Sequence, residues 1–191
     1  MKNSKTIPVL FTILILTIAS GSFASESDPK ALLSSSDRKS IPVYKTVVPK
    51  EGTFNADYQE EVARLPNLTL VKLIKSANFG FEGDPVAYEI ETENKITGWV
   101  SLDQVWFPAK VVRIQEGDKL NVRAGESLDS KIVDSVRPGE IFYVSANVLI
   151  QLGYKGYDPA DWARVSTKRG NRGFVKLRYF EIIETKVKPY P

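Results

Sequence analysis

The residue types that carry most enzyme chemistry are missing from this sequence. The 191-residue chain contains no cysteine and no histidine. The first absence excludes a thiolate nucleophile, a disulfide and a thiolate metal site. The second excludes an imidazole base, a Ser-His-Asp triad and a typical zinc site. Any catalysis would have to use carboxylates, lysine, tyrosine or serine, and any metal would be a hard cation held by oxygen, such as calcium.

Acidic side chains are therefore the main candidates for catalysis or metal binding. Glu126 and Asp129 lie close together in sequence, as do Asp158 and Asp161. Paired carboxylates can form a glycosidase site, and a group of them can hold calcium. These four are spread over two predicted loops without the spacing of a ligand loop, so we interpret them as ordinary loop residues. We accordingly expect no catalytic residue, no metal, no cofactor and no enzymatic activity.

The N-terminus has the pattern of a secretory signal peptide. Two lysines precede an apolar run from Ile7 to Ile18, and Ser22 and Ala24 form a small-x-small cleavage motif. We expect cleavage after Ala24, so that residues 1–24 are removed and the mature protein is periplasmic or secreted, without a transmembrane segment. An uncleaved membrane anchor is the alternative, but the apolar run is shorter than the ~20 residues that a spanning helix needs.

Net charge argues against nucleic acid as the partner. The formal net charge of the whole chain is +3, and the mature chain keeps 24 basic and 23 acidic residues, a net charge of +1. Nucleic-acid binding requires a concentrated basic surface. The charge is divided unevenly, because residues 41–108 hold 6 basic and 10 acidic residues whereas residues 109–185 hold 13 and 10. These opposite signs could help the two halves dock.

The rest of the chain reads as an all-β protein. Residues 25–40 are Ser-rich and poor in large apolar side chains, so we interpret them as a flexible linker. From Ile41 onward, short apolar alternations are separated by Gly, Pro, Asn and Asp, which is typical of a small barrel or sandwich. The only helical pattern, over residues 55–65, predicts at most a short helix or helical turn.

An internal repeat divides the chain into two parts. The motif Gly98-Trp99-Val100 recurs as Gly173-Phe174-Val175, each copy at the far side of a predicted hairpin. Because the strand patterns on both sides stay in phase, we predict two domains, 41–108 and 109–185, followed by a tail over 186–191. We expect the apolar run from Val105 to Val112 to be buried at their junction. Both repeated glycines follow hairpin tips, where the missing Cβ atom permits a bulge or a close approach of another backbone.

The second domain carries an ordered set of short motifs: Leu120-Asn121-Val122-Arg123, Gly125-Glu126-Ser127, Pro138-Gly139, Trp162-Ala163-Arg164-Val165 and Gly173-Phe174-Val175. This set resembles the bacterial Src-homology-3-type (SH3-like) domain, covers most of residues 110–183 and keeps the order of every element. The first domain is more divergent, since it lacks the Leu-Asn-Val-Arg motif and has Ala87 in the place of Trp162. The resemblance implies two small SH3-like barrels in tandem, with a ligand site in the second.

In that family, a shallow groove beside the first loop binds peptides, often from the cell wall. The resemblance implies a groove in the second domain lined by Asn121, Arg123, Glu126, Tyr154, Tyr157, Trp162, Phe174 and Tyr179. The alternative for Trp162 and Phe174 is packing in the core of a small barrel. The alternative for Asn121 and Arg123 is a structural contact to a neighbouring loop or carboxylate.

Basic residues near the end of the second domain form a separate candidate site for an anionic partner. They are Lys168, Arg169, Arg172, Lys176 and Arg178. Such a cluster could contact an anionic polysaccharide, lipid headgroups or an acidic protein. The alternative is a solvated hairpin face without a partner.

Two functions follow from these patterns. The first is an exported, non-catalytic binding protein that recognises cell-wall peptide (peptidoglycan) or an envelope protein. The second is a structural or self-associating protein of the envelope, displayed to an external or host partner through exposed strand edges. The sequence does not determine the oligomeric state.

Overall fold

The computed structural model describes residues 30–35, 37, 39–50, 55–78, 85–147 and 161–183. The predicted signal peptide, the predicted tail over 186–191 and the predicted groove residues Tyr154 and Tyr157 lie outside these ranges. Within them, no helix is both long and apolar enough to cross a membrane.

Strands dominate the described chain, which confirms the all-β class. They are β1 (Ala31–Leu33), β2 (Ile41–Pro49), β3 (Ala56–Leu65), β4 (Thr69–Asn78), β5 (Pro85–Glu91), β6 (Thr97–Ser101), β7 (Val105–Val111), β8 (Leu120–Arg123), β9 (Ile132–Val136), β10 (Ile141–Ser145), β11 (Trp162–Ser166), β12 (Arg172–Lys176) and β13 (Phe180–Ile182). Two short 3-10 helices, Leu102–Gln104 and Leu177–Tyr179, precede β7 and β13.

All of these strands join one antiparallel sheet, not two separate barrels. Its order is β3-β2-β6-β5-β4-β1-β7-β10-β11-β12-β8-β9, with β13 also paired to β7. The two halves merge because β7 bonds to strands from both: Trp106 lies opposite Leu32 of β1 and Ser145 of β10, and Val111 lies opposite Phe180 of β13. The domain boundary predicted between residues 108 and 109 therefore falls inside a strand.

The two halves nevertheless share one pairing pattern. In the first, β2–β3 is a hairpin, β4–β5–β6 is a meander, β6 pairs with β2, and β1 pairs with β4 and β7. In the second, the same relations link β8–β9, β10–β11–β12, β12 with β8, and β7 with β10 and β13. We call β1–β7 the first unit and β7–β13 the second unit. Strand β7 is the last strand of the first unit and the first strand of the second unit.

Gly98 and Gly173 occupy equivalent surroundings in the two units. A Cβ atom on Gly98 would lie 2.6 Å from Val43 Cγ1 and 2.7 Å from the carbonyl oxygen of Tyr44. A Cβ atom on Gly173 would lie 2.8 Å from Val122 Cγ1 and closer still to the carbonyl oxygen of Arg123. Only glycine permits this approach of two backbones, so the expectation drawn from the repeated motif is confirmed.

The segment interpreted as a flexible linker instead contains β1, a strand in the middle of the sheet. Ala31 and Leu33 are fully buried, and Leu32 is nearly so. Leu32 packs with Trp106 and Tyr143 in a small cluster apart from the main core. Both faces of this short strand are therefore apolar, and a three-residue strand is too short to display an alternating pattern in the sequence.

The possible helix over residues 55–65 is wrong, because β3 runs from Ala56 to Leu65. It pairs with β2 along most of its length, with a bulge where the register shifts beside Val43 and Tyr44. Pairing with β2 outweighs the weak helical preference of the segment, since tertiary context routinely overrides intrinsic propensity.

One hydrophobic core runs through both units by way of β7. Val105, Phe107, Ala109 and Val111 all belong to it. Phe107 packs edge-on against Tyr88 of β5, with ring centroids 5.8 Å apart, and Phe142 of β10 packs in the same manner against Phe180. The predicted burial of the Val105–Val112 run is confirmed for the strand residues except Lys110, which is exposed.

Candidate functional site

The outward surface of the β11–β12 hairpin combines two aromatic rings with two cations. Alternate residues of each strand point inward, so that Ala163 and Val165 are buried in the core. The intervening residues point outward: Trp162 and Arg164 on β11, and Phe174 and Lys176 on β12. We call these four residues the aromatic–cationic face.

Each aromatic residue of this face lies directly across from a cation. Trp162 is opposite Lys176, whose Nζ lies 5.2 Å from the centre of the indole ring, and Arg164 is opposite Phe174. The two rings are therefore diagonal neighbours, a relation that separates residues by about 7–8 Å in antiparallel sheets. Such a surface offers flat apolar area for stacking and charged donors for an anion.

Arg164 was not among the residues that sequence reasoning selected. Its side chain is exposed and takes part in no ion pair, hydrogen bond or ring contact within the described residues. Beyond the Val144–Val165 pair, the neighbouring strand β10 ends at Ser145. Ser145 and Ala146, which follows it, are buried and uncharged. The sequence feature that could have identified Arg164 is its position two residues after Trp162, because residues two apart lie on the same face of a strand.

At the corresponding β5 and β6 positions of the first unit, no residue is a cation. There, Ala87 lies opposite Ser101 and Glu89 lies opposite Trp99. The carboxylate of Glu89 is 3.2 Å from Lys75 Nζ, which itself lies 5.3 Å from the centre of the Trp99 ring. The charges of Glu89 and Lys75 thus neutralise each other within the first unit.

Tyr58 covers the end of the first-unit surface near Ala87. Its hydroxyl group donates a hydrogen bond of 3.2 Å to the carbonyl oxygen of Val86, and its ring packs 5.1 Å from that of Tyr44. Burial raises the pKa of Tyr58. The long β2–β3 hairpin therefore occupies part of the region that Trp162 occupies in the second unit.

The predicted groove residues do not all converge. Trp162 and Phe174 belong to the aromatic–cationic face and not to the buried core cluster, so the core-packing alternative is wrong for both. Arg123 lies opposite Phe174, but its Nη1 donates a 2.9 Å hydrogen bond to the carbonyl oxygen of Ser130 and so holds the loop between β8 and β9.

Three further predicted groove residues lie beside or beyond this face. Asn121 is half-buried on β8, opposite Ser135 of the edge strand β9. Glu126 is exposed in the loop that follows β8. Tyr179, at the end of the second 3-10 helix, packs partly against the core and lies under Arg178, whose guanidinium carbon is 4.7 Å from the ring centre.

The five basic residues predicted as one anionic-partner patch have separate environments. Arg169 forms an ion pair with Asp134, and Lys168 is exposed at the tip of the β11–β12 hairpin. Arg172 donates to Ser34 Oγ at 2.5 Å and to the carbonyl oxygen of Ser35, and lies 5.5 Å from the centre of the Trp106 ring. Arg169 and Arg172 therefore serve internal contacts, because their targets lie within the fold.

Asp134 is the centre of a polar cluster that joins β9 to the hairpin tip. Its carboxylate accepts hydrogen bonds from Thr167 Oγ1 at 2.7 Å, from Asn171 Nδ2 at 3.1 Å and from Arg169. Burial alone would raise the pKa of Asp134, but these hydrogen bonds outweigh it and hold the pKa well below its usual value. This cluster stabilises the hairpin and is not arranged as a metal site. Among the described residues, no group of three acidic side chains could hold a metal ion.

Comparison with known proteins gives little guidance. No protein-family model matches the sequence, and no curated protein matches it. Solved structures similar to this chain include NlpC2 from Trichomonas vaginalis, which is 15% identical over 81% of the chain with a TM-score of 0.29. NlpC1 from the same organism is 16% identical over 89% of the chain with a TM-score of 0.28. The chain spans 48% and 50% of those two structures.

Proposed function

We propose that this chain is an exported, non-catalytic binding protein. Its two SH3-like units share one sheet, and the second unit binds cell-wall peptide or an envelope protein through the aromatic–cationic face. The N-terminal pattern supports export. The absence of cysteine and histidine from the sequence supports binding in preference to catalysis.

The strand order supports the SH3-like assignment. In each unit, a hairpin follows the first strand, a three-stranded meander comes next, and a 3-10 helix leads into a last strand that pairs with the first. The equivalent contacts of Gly98 and Gly173 support an origin of both units from one module.

The observation that carries the proposal is the contrast between the two units. The second unit presents Trp162, Phe174 and an unpaired Arg164 outward, whereas the first unit neutralises Glu89 with Lys75 and covers its surface with Tyr58. Aromatic side chains and arginine are the types that dominate binding energy at interfaces. We therefore assign the binding function to the second unit.

Co-sedimentation of the mature chain with purified sacculi tests this function. We expect retention above that of an unrelated exported protein, and loss of retention from sacculi whose stem peptides have been removed. Replacing both Trp162 and Phe174 with alanine should weaken binding at least tenfold, an energy of about 1.4 kcal/mol. The matched control is Trp99→Ala in the first unit, which should bind normally. Binding that survives the double substitution would contradict the proposed site.

Self-association is a second candidate function, favoured by the apolar edge of the second unit. Strand β9 is the last strand of the sheet, and Leu128, Ile132 and Val133 beside its start are 62%, 48% and 36% exposed. Exposed apolar strand edges are templates for pairing with another chain. Light scattering across a concentration series should then show a dimer that Ile132→Lys dissociates. A monomer at every concentration would exclude this function.

A further inference from the structure

Arg164 lies within the aromatic–cationic face as a cation without an internal counter-ion. Its side chain is exposed, and no acidic group pairs with it in the described structure. The neighbouring residues are Ser145, the last residue of β10, and Ala146 after it, and both are buried. The side chain of Arg164 therefore lies on the outward face of the sheet, opposite to the core, where a ligand can reach it.

The first unit also has a charged residue at the position equivalent to Arg164. Its equivalent residue is Glu89, which, like Arg164, lies opposite an aromatic residue. The charge of Glu89 is matched by Lys75, which also lies over the facing Trp99 ring. The first unit thus neutralises the negative charge of Glu89 beside an aromatic ring. In the described structure, the second unit leaves the positive charge of Arg164 without a counter-ion.

The surroundings of Arg164 restrict the kind of anion it would take. A guanidinium group presents paired N–H donors that match the two oxygens of a carboxylate. Trp162 lies two residues away on the same strand face and Phe174 directly across, so apolar atoms next to the anion would meet a ring. A carboxylate attached to a short apolar group satisfies both features, as at the C-terminus of a peptide.

We propose that Arg164 is the specificity-determining residue of the aromatic–cationic face and that it binds the free carboxylate of a peptide. This inference rests on the proposed function and names the ligand class for the same site. Trp162 and Phe174 pack against the apolar part of the ligand next to that carboxylate. The first unit, with Glu89 at this position, does not bind carboxylates.

Titration of the ¹⁵N-labelled mature chain with two probes tests this inference. The probes are acetyl-Ala-Ala with a free carboxylate and the same peptide as its C-terminal amide. We expect the acid to bind at least about tenfold more tightly than the amide, because one charge-assisted bidentate contact is lost in the amide. Amide shifts should concentrate on residues 162–166 and 172–176. No detectable binding of the acid at millimolar concentration would overturn the proposal.

Three variants assign the preference to one side chain. Arg164→Gln should remove the difference between acid and amide, and Arg164→Lys should restore part of it. Lys168→Gln, which makes the same change in net charge at the exposed hairpin tip, should leave the difference intact. Equal losses in the Arg164→Gln and Lys168→Gln variants would refute the assignment, since net charge alone would then explain the effect. Stronger competition by inorganic phosphate than by acetate would refute the carboxylate class.

The sacculus assay separates failure of this inference from failure of the proposed function. If wild type and Arg164→Gln are retained equally by sacculi, the protein binds the wall and the carboxylate inference is wrong. If sacculi do not retain the wild type while the acid probe still binds at residue 164, the carboxylate site stands and wall binding is wrong.

Discussion

Replacing Gly173 with alanine tests how closely β12 approaches β8 beside the candidate site. The new Cβ atom would lie 2.8 Å from Val122 Cγ1 and closer still to the Arg123 carbonyl oxygen. Carbon atoms in favourable contact lie about 3.5–4.0 Å apart, so β8 would have to move by roughly 1 Å. The atom met first belongs to the backbone, which cannot rotate away as a side chain can.

The expected loss of stability has two parts. Overpacking of this kind costs about 1–3 kcal/mol. Displacement of β8 also weakens the pairing of Phe174 with Arg123, and one lost hydrogen bond costs about 1 kcal/mol. We expect a total near 3 kcal/mol, which lowers the melting temperature by about 6–12 °C for a chain of this length.

Urea unfolding followed by tryptophan fluorescence measures this change in free energy. Gly98→Ala, the equivalent change in the first unit, should cost a similar amount. Gly125→Ala is the matched control, because its Cβ atom would meet only the rotatable Ser130 Oγ, 3.0 Å away. If Gly173→Ala unfolds like Gly125→Ala, the close approach of β8 and β12 is wrong, and with it the position of Phe174 in the candidate site.

Three further predictions test other contacts of the fold. Asp134→Asn should remove part of the loss of stability in acid. The lowered pKa of Asp134 contributes stability that is present above about pH 4 and is lost as the pH falls. The free energies of urea unfolding at pH 6 and pH 3 should therefore differ less in this variant than in wild type or in the loop variant Asp129→Asn. Leu33→Ala should cost about 2–5 kcal/mol, because Leu33 is fully buried in β1, and exposed Leu128→Ala should cost nothing measurable; equal stability of both variants would contradict the burial of β1. Burial raises the pKa values of Tyr58 and Tyr143, so the stability that these two residues contribute is complete below about pH 10 and is lost as the pH rises above it. Tyr58→Phe should reduce this loss. Unchanged alkaline unfolding of the variant would contradict the burial of the Tyr58 hydroxyl group.

Local patterns were sufficient to predict the strands of the second unit and the two close-approach glycines. Whether a strand residue points inward or outward depends on an alternation that is visible within a few residues, as in Trp162-Ala163-Arg164-Val165. That alternation is enough to put Trp162 and Arg164 on one face, although sequence reasoning did not use it for Arg164. It did not say whether that face lies against the core, and sequence reasoning therefore kept core packing as an alternative for Trp162.

Contacts between distant segments could not be predicted. Arg169 and Arg172 were assigned to a binding patch because their internal partners, Asp134 and Ser34, lie far from them in sequence. Ala31–Leu33 was assigned to a linker because the surrounding residues 25–40 are Ser-rich and poor in large apolar side chains. Only pairing with β4 and β7 makes these three residues a strand.

The sequence by itself determined the all-β class, the repeated glycine motif and the exclusion of thiol and imidazole chemistry, since each depends on residue type and short-range spacing. Tertiary structure decided that the two units share β7. Within the residues described, it also decided that the second unit presents a cation without a counter-ion, Arg164, beside two aromatic rings, whereas the first unit does not. Those features depend on which strands pair and on which charges meet across the sheet. Such contacts are set by the burial of one common core and not by any local pattern.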